Sequence, residues 1–442
     1  MRLLDVWLES SALPIGHLAA GDDGAMGFAY TADWLGQADN HALSLSLPLT
    51  EEPFGDSVTR AWFGNLLQEN DQLERVMARE GLDRGDIAGL LAHVGSDCAG
   101  AVSVLPQGHP PVKRPGNLTE DYDALDDAAF RDLVQRLAEG RPLPENMRDP
   151  SPVAGYRRKI SLAELPGNRF GLPKPGSGAP TTHILKIPDP GHRHESRHEA
   201  FVTTLAAQCG LDVGTCRADE VDGQEVLLIR RFDRQVYGND VHRLHQEDFA
   251  QALGLPAQLK YERRGQEGRR FDAAAIARIL AATDRPAMAR QHFLEITLFD
   301  LLVGNNDNHA KNHALFHLPG RTPVLTPFYD LVPVQVVAGY TDELAFRIGE
   351  ADVPEDIRRE DLLHFCEAIG IPRSGAPVLL ERAARQLIEA IEEHSLHFPQ
   401  EMRALDNLAG EREAHLNAIL ELGLELRERD AHVVRGGGWA LS

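Results

Sequence analysis

The residues best suited to chemistry in this 442-residue chain are Asp307, Asn312 and Asp330, three oxygen-bearing side chains within LLVGNNDNHAKNHALFHLPGRTPVLTPFYD, residues 301–330. Residues 313–318 and 322–326 read as two short strands reversing at Pro319-Gly320. A hairpin returns its outer ends to each other, so Asp330 is expected beside Asn312. Such a set suits Mg²⁺, a hard cation that takes few carboxylates and completes its shell with phosphate oxygens and water. An Asx-rich loop that merely closes the preceding helix fits the same residues.

Asp307 stands five residues before Asn312, and Asp330 follows two strands later, which is the spacing of a kinase catalytic loop and its metal-binding acid. That chemistry also needs a cation on the phosphates and an acid to hold it. THILKIP, residues 182–188, reads as a strand with Lys186 near its end, and Glu199 opens a helix thirteen residues on. An exposed strand-end charge is the plainer reading of Lys186. In SPVAGYRRKISL, residues 151–162, Gly155 lies beside Arg157, Arg158 and Lys159. Its amides and basic side chains could hold a phosphate, or form a basic surface turn. QEVLLI, residues 224–229, reads as a buried strand, and Arg231-Phe232 follows it where a hinge would offer backbone groups to adenine. An ordinary strand end fits there too.

A competing motif is His194-Glu195-Ser196-Arg197-His198, which matches the H-E-x-x-H pattern of zinc hydrolases. Its neighbours, HRHESRHEA, are polar, and with nineteen histidines in the chain such a match arises readily by chance. A solvated helix start is the alternative.

These residues need positioning elements. Residues 1–105 read as a mixed unit, with a strand over 43–49 where leucine alternates with Ser44, Ser46 and Pro48. The proline-rich stretch 106–116 reads as a linker and 122–139 as an amphipathic helix. The four prolines and four glycines of 164–180 suggest loop. From 244–262 onward the chain reads as predominantly helical, with the apolar stretch 288–303 as a buried helix stopped by Gly304. The expected division is 1–105, 106–240 as a small nucleotide-binding lobe, 241–435 as a helical lobe and 436–442 as a flexible tail.

A formal net charge of −22 argues against a large basic nucleic-acid surface. Four cysteines without a C-x-x-C pair read as reduced thiols. The start MRLLDVWLES has no apolar leader and no stretch is long enough to span a bilayer, so a cytoplasmic protein is expected.

Taken together, LSLSLPL, NLL, SPVAGYRRKISL, THILKIP, RRFDR, RLHQEDFAQALGLP, KYE, DNHAKN and TPFYD resemble, in number and order, the HipA-type serine/threonine kinases, toxins of bacterial toxin–antitoxin modules. The resemblance implies an α+β, two-lobed protein-kinase-like fold with an extra N-terminal subdomain. It implies ATP and Mg²⁺ as cofactors and Asp307 as the catalytic aspartate. Asn312 and Asp330 would be the metal ligands, with Lys186 on the ATP phosphates. Glu199, Ala154, Gly155, Arg157, Lys159, Arg231, Phe232, His309 and Lys311 complete the implied nucleotide-binding set. Arg157 stands where the family carries glutamine, and Pro152 where it carries its autophosphorylated serine, leaving Ser151 as the nearest candidate. The implied partners are a HipB-like helix-turn-helix antitoxin, operator DNA through that antitoxin, and an aminoacyl-tRNA synthetase as substrate, glutamyl-tRNA synthetase first. Two other classes stay open: a co-repressor scaffold with little kinase activity, and a zinc hydrolase using His194 and His198.

Overall fold

A computed structural model describes residues 1–9, 11–67, 71–141, 143, 158–189, 191, 194–336 and 341–430. Ser151, Ala154, Gly155, Arg157 and the tail from 436 lie outside the described residues. The chain forms two compact units, one of residues 1–191, 217–257 and 314–324, the other of 192–216, 258–313 and 325–442.

The first unit begins with a four-stranded antiparallel sheet in which Arg2–Leu8 lies between Gly16–Ala20 and Val102–Pro106, with Met26–Tyr30 at the edge. Its buried face packs Phe28 against Phe63 of helix Asp56–Gly64. Residues 43–49 are not the strand that their alternation predicts. Leu43 and Leu47 are fully buried while Leu49 is 37% exposed, so burial recurs every four residues. Side chains satisfy this stretch instead of a neighbouring strand: Leu43 N–H donates to the Tyr30 hydroxyl and Leu45 N–H to Glu247.

The second sheet of this unit has six strands in the order Thr215–Val221, Gln224–Arg230, His183–Ile187, Arg158–Leu165, Arg169–Pro173, Tyr122–Ala124. Ile160, Leu162, Leu185, Ile187, Val226 and Leu228 point to one face and bury against Leu133, Val134 and Leu137 of helix Asp127–Glu139. That helix is capped by Asp126 and stopped by Gly140 in the left-handed region. Strand Arg169–Pro173 falls in the stretch whose prolines and glycines suggest loop. Gly167 and Asn168 both adopt positive φ, 82° and 58°, which turns Leu165 back onto Arg169 as a tight hairpin.

Residues 244–262 also differ from the helical expectation. His245–Asp248 is a strand paired with Ala314–His317, and the helix starts only at Phe249, behind a capping box of Asp248 and Gln251. Glu247, fully buried, accepts from Leu45 N–H at 2.9 Å, Trp62 Nε1 at 3.3 Å and His317 Nε2 at 2.7 Å, tying the N-terminal sheet's helix to this strand.

The second unit is helical. Pro286–Val303 is buried on nearly all sides and packs on Ala376–Ser395, Arg403–Ile419 and Ala273–Ala281. Residues beyond Ile419 run back along the last two helices. Arg429, its side chain 3% exposed, sits over Gly410, where a Cβ would come within 2.4 Å of it, and pairs with Glu392, Asp406 and Glu413. Among the described residues no helix is long and apolar enough to cross a membrane.

Candidate active site

In the sheet-bearing unit, Lys159 and Lys186 are direct register partners on adjacent antiparallel strands, with Leu227 opposite Lys186 on the far side. All three lie on the face away from helix Asp127–Glu139, because their neighbours Ile160, Leu185 and Leu228 fill the core beneath it. Lys186 is only 9% exposed. Arg231 forks onto Asp233, Nε at 3.0 Å and Nη2 at 2.8 Å, with Thr181 Oγ1 beside it. Burial alone would raise the Asp233 carboxyl, yet the guanidinium groups of Arg231 and Arg234 hold it well below the usual range. Phe232 stands edge-on to Phe316 at 5.9 Å. The Arg231 guanidinium thus braces the residues after the strand.

In the helical unit, the loop after Val303 is built from amide side chains. Gly304 turns at φ 72° and its N–H caps Asp300. Asp300, fully buried, accepts from Asn305 Nδ2 at 2.9 Å and Asn308 Nδ2 at 3.0 Å. Burial pushes the Asp300 carboxyl up to about 7, against the pull of the two amides. Asn306 donates to Asp342 O at 2.8 Å, and His313 Nε2 donates to Asn308 O at 3.0 Å. Burial drives the His313 imidazole down to about 4, which keeps it neutral for that role.

This frame holds Asp307 and Asn312 together: Asn312 Nδ2 donates to Asp307 O at 2.8 Å, which turns its amide oxygen away as an acceptor. Asp330 follows Tyr329, whose hydroxyl donates to Lys311 O at 2.8 Å, so the returning chain is fastened to the loop as the hairpin predicts. Asp330 itself sits at φ 60° in the left-handed region, a strained placement for a non-glycine residue. Burial raises the Asp307 carboxyl, Tyr261 and Lys260 pull it down, and the charge of Asp330 pushes it up again. Two carboxylates that feel each other beside an amide oxygen form a donor set that a divalent hard cation relieves. His309, buried and pushed well below its ordinary value by desolvation and Lys260, is a neutral imidazole.

Glu199, 3% exposed, lies in helix Glu195–Gln208. His194 precedes that helix at φ 68°, and among the described residues no group of three or more His, Cys, Asp or Glu is arranged to hold a metal ion. Two residues receive no role from the motifs. Asp300 could have been noticed as an acid inside an otherwise apolar helix. Tyr261, whose hydroxyl donates to Asp307 Oδ1 at 2.5 Å, lies forty-six positions upstream and carries no local signal of that contact.

A helix-backed sheet displaying two lysines and a helical unit displaying an Asp–Asn–Asp set define an α+β, protein-kinase-like fold. Residues 4–105 match the HipA N-terminal domain and residues 151–396 the HipA-like C-terminal domain. The chain belongs to the HipA family of serine/threonine-protein kinase toxins. It is 33% identical over 398 residues to the putative kinase Y4mE of Sinorhizobium fredii, covering 89% of this chain and 91% of that one. It is 31% identical over 413 residues to the serine/threonine-protein kinase toxin HipA of Shewanella oneidensis, covering 90% and 91%. A solved complex of Shewanella oneidensis HipA, HipB and operator DNA superposes with a TM-score of 0.76 at 26% identity, covering 96% of this chain and all of that one. Family membership leaves no place for the zinc hydrolase.

Proposed function

We propose that this chain transfers the γ-phosphoryl group of ATP to a serine or threonine of a host protein, with Mg²⁺, as the toxin of a two-component module. The observation that carries this reading is the fastening of Asn312 to Asp307 on a loop whose other acid, Asp330, is held beside it. When bound, ATP–Mg²⁺ supplies the phosphoryl group and the charge neutralisation for its transfer. Asn312 and Asp330 are the metal ligands, and Lys159 and Lys186 take the phosphate charge on the sheet. Asp307 accepts the acceptor hydroxyl's proton, or orients that hydroxyl, so catalysis is mainly positioning and electrostatics. His309, Lys311, Glu199 and the stretch with Ala154, Gly155 and Arg157 complete nucleotide binding, and Arg231 and Phe232 line the segment offered to adenine. Ser151 is the candidate for self-phosphorylation.

The partner is a HipB-like helix-turn-helix antitoxin that carries the complex to operator DNA. With a net charge of −22 the toxin leaves the phosphate contacts to that partner. The acceptor is an aminoacyl-tRNA synthetase, glutamyl-tRNA synthetase first. Phosphoproteomics after induced expression, against an Asp307→Ala strain, tests the acceptor: a new phosphoserine on a synthetase in the wild type alone supports it, and unchanged synthetases reject it. A scaffold that acts only by holding an antitoxin on DNA is the second reading, favoured by the similarity to a HipA–HipB–operator complex. Growth arrest on expression, abolished by Asp330→Ala, counts against it.

A further inference from the structure

Tyr261 is fixed from both sides. Ahead of it, the Lys260 carbonyl accepts from Ala310 N–H at 3.1 Å, inside the loop that carries Asp307. Behind it, Glu262 N–H donates to Ala345 O at 2.9 Å, and the Glu262 carboxylate accepts from Arg347 N–H at 2.7 Å. The ring stands edge-on to His309 with centroids 5.1 Å apart, and three cations crowd it: Arg263 at 4.3 Å, Lys260 at 5.2 Å and Arg264 at 5.5 Å from its centroid. From this seat the hydroxyl reaches one oxygen of Asp307, Oδ1, at 2.5 Å.

We propose that Tyr261 is a positioning residue for phosphoryl transfer, orienting the Asp307 carboxylate so that Oδ2 is the oxygen presented to the acceptor hydroxyl. The proposal rests on Asp307 acting as the base. A buried carboxylate can rotate about its last torsion and present either oxygen. A donated hydrogen bond at Oδ1 stops that rotation and leaves Oδ2 as the oxygen on offer. The phenol itself stays protonated, because burial, then the charge of Asp307, push its ionisation far above the physiological range. It is therefore a donor at every working pH, and no proton leaves it during the reaction.

The test compares wild type, Tyr261→Phe and Asp307→Asn for labelling of lysate proteins from γ-labelled ATP with Mg²⁺, over a range of ATP concentrations. Binding of a fluorescent ATP analogue and melting temperature confirm that each variant is folded. The expected result for Tyr261→Phe is a rate about tenfold lower at saturating ATP with nucleotide affinity unchanged. The loss falls on kcat alone, with the KM for ATP unchanged, because Tyr261 orients Asp307. A merely structural tyrosine would lower melting temperature and nucleotide affinity together with the rate. A wild-type kcat in Tyr261→Phe overturns the proposal while an inactive Asp307→Asn leaves the kinase reading standing. If Asp307→Asn labels as well as wild type, the reading and the proposal fall together.

Discussion

Lys159 and Lys186 are direct register partners on adjacent antiparallel strands of one sheet. In the proposed function both side chains take the charge of the ATP phosphates. Replacing Lys159 with Met should therefore leave the melting temperature of the ligand-free protein within a few degrees of wild type. It should abolish most of the rise that ATP and Mg²⁺ produce, since stabilisation by a ligand follows its affinity. Differential scanning fluorimetry reads both quantities; a full ATP-induced rise in the variant would show that the pair holds no phosphate.

Asp300 fastens the loop that carries Asp307 from below, through Asn305 and Asn308. In Asp300→Ala two buried amide donors lose their acceptor, at roughly 1–3 kcal/mol each, and the loop is expected to lose activity together with stability. The pH dependence has a definite sign. A folded-state value near 7, raised above that of a free aspartate, contributes stability that is fully present at acid pH and is lost as pH rises through about 7. Chemical denaturation of wild type and Asp300→Ala at pH 5.5 and 8.5 measures this difference. A smaller gap at pH 8.5 is the expected outcome, and a larger one would contradict it.

Much of this loop was legible in the sequence. The spacing of Asp307, Asn312 and Asp330 and the Pro319-Gly320 turn are local, and a turn dipeptide between apolar runs has few alternatives. Residues 43–49 misled because leucine alternating with serine is the pattern of a half-buried strand, whereas the Tyr30 hydroxyl and Glu247 satisfy these amides from far along the chain. The strand at His245–Asp248 was hidden for a similar reason: its partner, Ala314–His317, is some seventy residues away. Tyr261 belongs to the same class. A side chain that acts through a contact forty-six positions downstream leaves no period or spacing to read.

Arg429 tests how the C-terminal segment is held. It reaches Glu413, fully buried, with Glu392 and Asp406 alongside. Arg429→Met strands that carboxylate, and breaking a buried pair in this way costs about 3–5 kcal/mol. Burial already pushes Glu413 up to about 8, despite Arg429. The variant's penalty should therefore be smaller at pH 6, where Glu413 takes up a proton, than at pH 8.5. Urea unfolding at the two pH values checks it, and an equal penalty at both would locate the cost elsewhere.

With Asp307 as the proposed base, the pH profile of the reaction follows from its surroundings. Burial raises its carboxyl above the ordinary aspartate value, and only its anion accepts a proton, so the rate falls as pH drops through a window above that of a free aspartate. A profile flat down to the usual aspartate range would remove Asp307 as the base.

The central claim, that Asp307 serves phosphoryl transfer, is tested most directly by transfer of label from γ-labelled ATP to lysate proteins by wild type and by Asp307→Asn, each shown to bind nucleotide. The account predicts labelling by the wild type and a loss of at least about a hundredfold in the variant, the scale of a missing general base. Labelling by Asp307→Asn at the wild-type rate would contradict it.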